Sequence, residues 1–111
     1  MVNTNPKTQI QANKKEYILH TQTIIKSRYL TQVMGFKMMY DIEKNPTIYL
    51  TKNSKTMIIE YCESTDLYNF KSHKLTKDLD VIPLNDLTGL YVDSLLELIE
   101  EFAKTKIYGL F

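Results

Sequence analysis

The stretch "NPTIYLTKNSKTMIIEYC", residues 45–62, constrains the fold more than any other part of the chain. It reads as two strands around a tight turn. With Asn53-Ser54 as a two-residue turn, Leu50 opposes Met57 and Ile48 opposes Ile59 on one side of the ribbon. Tyr49 then opposes Ile58, and Thr51 opposes Thr56, on the other. A three-residue loop would set Ile48 against Glu60 and waste its burial. The even loop is therefore expected, because a one-residue slip sends every side chain to the wrong face. Asn tolerates the positive φ that such turns need, although Ser is a weaker second turn residue than Gly.

The pattern continues past residue 62. "ESTD", residues 63–66, is a turn signal, and "LYNFK", residues 67–71, resumes as strand. Antiparallel pairing across that turn aligns Tyr61 with Tyr68 and Ile59 with Phe70. The row Ile48–Ile59–Phe70 then crosses three strands on one face. Each such aligned pair contributes roughly 0.2–1 kcal/mol over Ala–Ala. A three-stranded antiparallel meander is the expectation. "DVIPL", residues 80–84, adds a candidate short edge strand, a place where Pro83 is tolerated.

Helices are expected on both flanks. From Asn13 to Tyr40, the apolar residues Tyr29, Val33, Phe36 and Tyr40 recur at helical spacing, with Ile18 and Ile25 behind them and Leu30, Met34 and Met38 alongside. "YILHTQTIIKSRYL" also tolerates a strand. Gly35 costs a helix about 1 kcal/mol relative to Ala, so a break is expected there, and Pro46 stops the segment. A second helix is expected from Ser94, with Ser94 and Glu97 as a capping box. Leu95, Leu98, Ile99, Phe102 and Ala103 are its buried stripe, and Gly109 its stop. Asp93 and Glu97 early, with Lys104 and Lys106 late, suit the helix dipole. Leu110 and Phe111 are an apolar pair that either docks on the core or meets a partner.

The whole reads as α+β and two-layer: an N-terminal helix, the meander, and a C-terminal helix. Residues 1–13, polar and basic, are expected to be a flexible arm, with one domain over residues 14–111. A chain of 111 residues supports one modest core without metal or disulfide.

Composition narrows the function classes. No apolar run reaches membrane-span length, and the polar N-terminus is no secretory signal. One cysteine, Cys62, permits no internal disulfide, and a cytoplasmic location is the default. Lys, Asn, Ile and Tyr number 13, 7, 11 and 8, while Gly, Ala, Arg and Pro number 3, 2, 1 and 3. That skew toward AT-rich codons points to a low-GC bacterium, its phage or a mobile element. Residues 1–58 carry a balance of +6 and residues 59–111 one of −5, which sum to the net +1. Such asymmetry marks either a basic binding face or a self-complementary surface for a homodimer.

No phosphate-binding Gly-rich loop, Gly-x-Ser-x-Gly or His-Glu-x-x-His pattern is present. Cys62 with His20 or His73 is the only nucleophile–base combination worth testing, and a lone Cys at a strand end is more often a small packed residue. Asp78 and Asp80 are too few for a cation site. No catalytic residue, metal or cofactor is therefore assigned.

Two binding readings remain. In the first, the chain is a non-catalytic accessory protein that occupies a site on a host or defence protein. Tyr49, Lys52, Lys55 and Ile58 of the hairpin would be its contact residues, because Tyr is favoured at interface hot spots. The acidic helix face Glu97, Glu100 and Glu101 is a second candidate surface. In the alternative, the chain is a DNA-binding regulator with a winged-helix-like arrangement. "LTQVMGF" resembles the turn of a helix-turn-helix, and Lys26, Arg28, Lys37, Lys44, Lys52 and Lys55 would contact phosphate. A single Arg counts against base-specific reading in the major groove.

Overall fold

The computed structural model describes residues 6–104, with side chains from residue 13 onward. Helix α1 runs Pro6–Ile25, and a single π-helical turn follows at Tyr29–Val33. Strands β1 Lys37–Asp41, β2 Thr47–Lys52, β3 Lys55–Cys62, β4 Leu67–Leu75 and β5 Val81–Leu90 come next, then helix α2 Val92–Ala103. The strands form one antiparallel sheet in the order β1-β2-β3-β4-β5. The class is α+β, as the sequence implies.

The hairpin register is the one dictated by burial. Ile48 pairs with Ile59, Leu50 with Met57, Tyr49 with Ile58 and Thr51 with Thr56. Across the next turn, Ile59 pairs with Phe70 and Tyr61 with Tyr68. In the first turn only Asn53 takes a positive φ, 55°, so Ser54 is not asked to adopt a conformation it disfavours. Asp66 supplies the matching residue in the second turn, also at 55°.

Both helices cover the face that carries this row. Ile48, Leu50, Met57, Ile59 and Phe70 are fully buried beneath Ile18, Ile25 and Leu30 from the N-terminal segment and Leu95 and Ile99 from α2. Each such side chain withdrawn from water is worth about 1.5–3 kcal/mol. Phe102 meets Phe70 edge-on at 6.4 Å. Tyr17, Tyr61 and Tyr68 form a cluster with centroids 4.8 and 5.2 Å apart.

The structure corrects the expected architecture in four places. The sheet has five strands, not three. The helix expected to Tyr40 stops at Ile25: Lys26 turns left-handed at φ 55° and the Tyr29–Val33 turn follows. Gly35, at φ 84°, then redirects the chain into β1, with Phe36 N–H donating to the Leu30 carbonyl. Met38 and Tyr40 thereby leave the helical stripe and pair with Leu50 and Ile48. The edge strand expected at residues 80–84 extends to Leu90, with irregularities opposite Tyr68/Phe70 and Ser72/His73.

The fourth correction concerns α2, which starts at Val92 with Tyr91 as its N-cap and no side-chain cap bond. Ser94 and Glu97 are therefore not a capping box. β5 feeds directly into the helix, and burial of Leu95, Leu96 and Ile99 holds it. Lys104 caps the other end in the left-handed conformation. Lys106, Tyr108, Gly109, Leu110 and Phe111, and residues 1–5 of the expected arm, lie outside the described residues.

Gly35 is the glycine whose backbone freedom the fold uses. A Cβ there would lie 3.9 Å from Lys52 Cε, which is ordinary contact, so the penalty is conformational. Gly35→Ala is expected to destabilise the protein by about 1–2 kcal/mol, read from the midpoint of urea denaturation. An unchanged midpoint would mean that Gly35 is not held in the left-handed region.

Candidate functional site

Strand alternation sends every second residue to the face opposite the helices. Three rows cross it. The central one is Met39–Tyr49–Ile58–Lys71–Asp86. On one side lies Lys37–Thr51–Thr56–His73–Pro83, and on the other Asp41–Thr47–Glu60–Asn69. No described helix packs on this face. Met39 is 71% exposed, and Tyr49 and Ile58 are half-buried.

The face is concave at its Asp41 end. A depression of about 330 Å³ is lined by Tyr49, Ile58, Glu60, Lys71, Lys44 and Asp41, among others. The β1–β2 loop raises one wall, and the Asp41 carboxylate accepts from Glu43 N–H at 2.9 Å to hold it. Glu60 accepts a 2.6 Å bond from Asn69 Nδ2, and Asn69 Oδ1 accepts from Gly89 N–H at 3.2 Å. Thr51 and Thr56 join their hydroxyls at 3.2 Å. These bonds fix the polar side chains around an apolar centre.

The structure divides the contact residues expected from the sequence. Tyr49 and Ile58 come together in the depression. Lys52 and Lys55 pair with each other but on the helix side of the sheet, in a second depression with Phe36, Lys74, Phe102 and Lys104. Lys44 lines the first depression. Lys37 lies on the helix-free face, and Lys26 and Arg28 line a third hollow after α1. Glu97 and Glu101 are exposed on the outer side of α2, with Glu100 half-buried between them. The hairpin itself is interior to the sheet, flanked by β1 and β4, rather than a projecting two-stranded wing. Strand pairing and the end of α2 bring Lys74 and Lys104 to Lys52 and Lys55, a grouping that no local sequence pattern marks.

The candidate nucleophile and its candidate bases stand on different elements. Cys62 Sγ lies 3.4 Å from Ser64 Oγ, and hydrogen bonds from Ser64 and then Thr65 pull its thiol below the ordinary value. His73 pairs with Thr56, six residues along β3 from Cys62, or roughly 20 Å at about 3.4 Å per residue. His20 is exposed on α1 beside Thr65, Tyr68 and Tyr91. Asp78 and Asp80 sit in the β4–β5 turn, where Asp80 N–H donates to Thr76 Oγ1 at 3.0 Å. Among the described residues no three His, Cys, Asp or Glu side chains converge as a metal site, and no helix is long and apolar enough to cross a membrane. Compared with protein-family models, with curated proteins and with solved structures, the chain matches none.

One titration is tied to the fold beneath this face. Tyr61 donates a 2.6 Å hydrogen bond to Asp66 Oδ1, and that bond, then burial, raises its hydroxyl well above the ordinary tyrosine value. Burial also raises Tyr68, against a hydrogen bond with Thr21 that lowers it. The unfolded chain therefore releases these protons first, as pH passes about 10. Their contribution is fully present below that pH and is lost as pH rises above it. Denaturation midpoints from about pH 8 to about pH 11 are expected to fall more steeply for the wild type than for Tyr61→Phe. Parallel profiles would exclude the Tyr61–Asp66 bond as the source.

Proposed function

We propose that the chain is a macromolecule-binding accessory protein that engages a protein partner through the helix-free face of its sheet. The observation that carries this reading is the open row Met39–Tyr49–Ile58, whose Tyr49 and Ile58 line a depression with polar walls. A sheet face with no helix over it ordinarily presents polar side chains to water. Here its middle is apolar and aromatic, the composition of an interface centre.

The charges around that row favour a polypeptide over a nucleic acid. Asp41, Glu43 and Glu60 stand beside Lys44 and Lys71 in the same lining. Phosphates would meet three carboxylates there, whereas a protein segment can offer both signs and an apolar side chain between them. The mechanism is occupation: the face covers a partner's surface and keeps other molecules from it. No group transfer is required of any residue in the depression.

A photo-crosslinking amino acid placed at Met39 tests this in lysate of a low-GC bacterium. The expected result is a discrete protein adduct that Ile58→Asp abolishes and Lys55→Gln/Lys74→Gln leaves intact. An adduct between two copies of the chain would make the partner a second copy. Adducts that persist with Ile58→Asp, or that contain nucleic acid, would overturn the assignment.

A further inference from the structure

The lysines on the helix side of the sheet have a different chemistry. Lys52 pairs directly with Lys55, and Lys55 directly with Lys74. Three like charges thus stand in one row across adjacent strands, an arrangement that destabilises a sheet. Lys104 joins them from the end of α2, in the left-handed conformation that favours Gly. The four border one depression of about 340 Å³, whose lining among the described residues contains no Asp or Glu. Phe36 and Phe102 contribute apolar surface, and Lys52 Nζ stands 5.9 Å from the Phe36 ring centroid.

The helix dipole accounts for part of this. Carbonyls at the end of α2 attract a cation, and Lys104 stands there with its backbone N–H donating to the Glu100 and Glu101 carbonyls. It does not explain three lysines in register on three strands. Where the described residues break a local rule by crowding like charges, a bound counter-charge is a natural source of compensation. Lysine ammonium groups are point charges that suit phosphate oxygens from several directions. The volume falls in the range of sites for compact ligands.

We propose that Lys52, Lys55, Lys74 and Lys104 form a binding site for closely spaced phosphates, as carried by a nucleoside polyphosphate or by consecutive phosphates of a nucleic-acid strand. The site is separate from the open sheet face and does not depend on the protein-partner reading.

Thermal unfolding in the presence of inorganic tripolyphosphate, against sodium chloride of equal ionic strength, is the first arm of the test. Anisotropy of a short labelled single-stranded oligonucleotide across a salt series is the second. Both use wild type and Lys55→Gln/Lys74→Gln. The wild type is expected to gain thermal stability from at least one of the two ligands. The variant is expected to melt higher than wild type without ligand, because the like-charge row is relieved, and to lose the ligand response. For the oligonucleotide, the salt slope should fall by about 0.7 for each phosphate contact removed. A response to tripolyphosphate alone assigns the source to a nucleoside polyphosphate, and one to the oligonucleotide alone to a nucleic-acid strand. No response of the wild type to either ligand, or an equal response of the variant, would overturn the proposal.

Discussion

The cross-strand row Ile48–Ile59–Phe70 is the contact on which the rest of the molecule depends. It exists only in one register, and the two-residue turn at Asn53–Ser54 sets that register. All three side chains are fully buried. A slip by one residue would expose them and bury Tyr49, Ile58 and Lys71 in their place. Ile18, Ile25, Leu30, Leu95 and Ile99 pack in the same core as this row.

Division of the sheet into two faces follows from the same register, and each face has its own character. On the helix side, apolar rows end at the hairpin tip in Lys52–Lys55–Lys74, where the core gives way to charge. On the open side, an apolar row lies between polar ones. The sheet's edges are guarded unequally. β1 is five residues long, while β5 is ten, with Pro83 and two irregularities that interrupt its regular pairing. Such devices discourage edge-to-edge association, although β5 still exposes Val81, Ile82, Leu84 and Leu87.

How much of this could be read from the chain depended on which periodicity stood alone. β2, β3 and the start of β4 alternate cleanly between turns, so their register and the open position of Tyr49 and Ile58 were legible. β1 was hidden because Phe36, Met38 and Tyr40 alternate as a strand while Tyr29, Val33, Phe36 and Tyr40 also keep helical spacing. Tertiary pairing with β2 decided between them. β5 was legible only in its first residues, because extra residues near Leu84 and at Thr88–Gly89 disturb the alternation. The lysine depression was half legible. Lys52 and Lys55 share the hairpin, but Lys74 and Lys104 reach them through pairing and helix packing that no local pattern announces.

The central claim is that the middle of one face of the sheet is dry and the middle of the other is open. Side-chain NMR with a soluble paramagnetic agent tests it most directly, because Ile58 and Ile59 are neighbours in sequence yet Ile58 is half-buried and Ile59 fully buried. Strong relaxation enhancement at Met39, Tyr49 and Ile58, with none at Ile48, Ile59 and Phe70, is the expected result. Equal protection of Ile58 and Ile59, or the reverse order, would contradict the account.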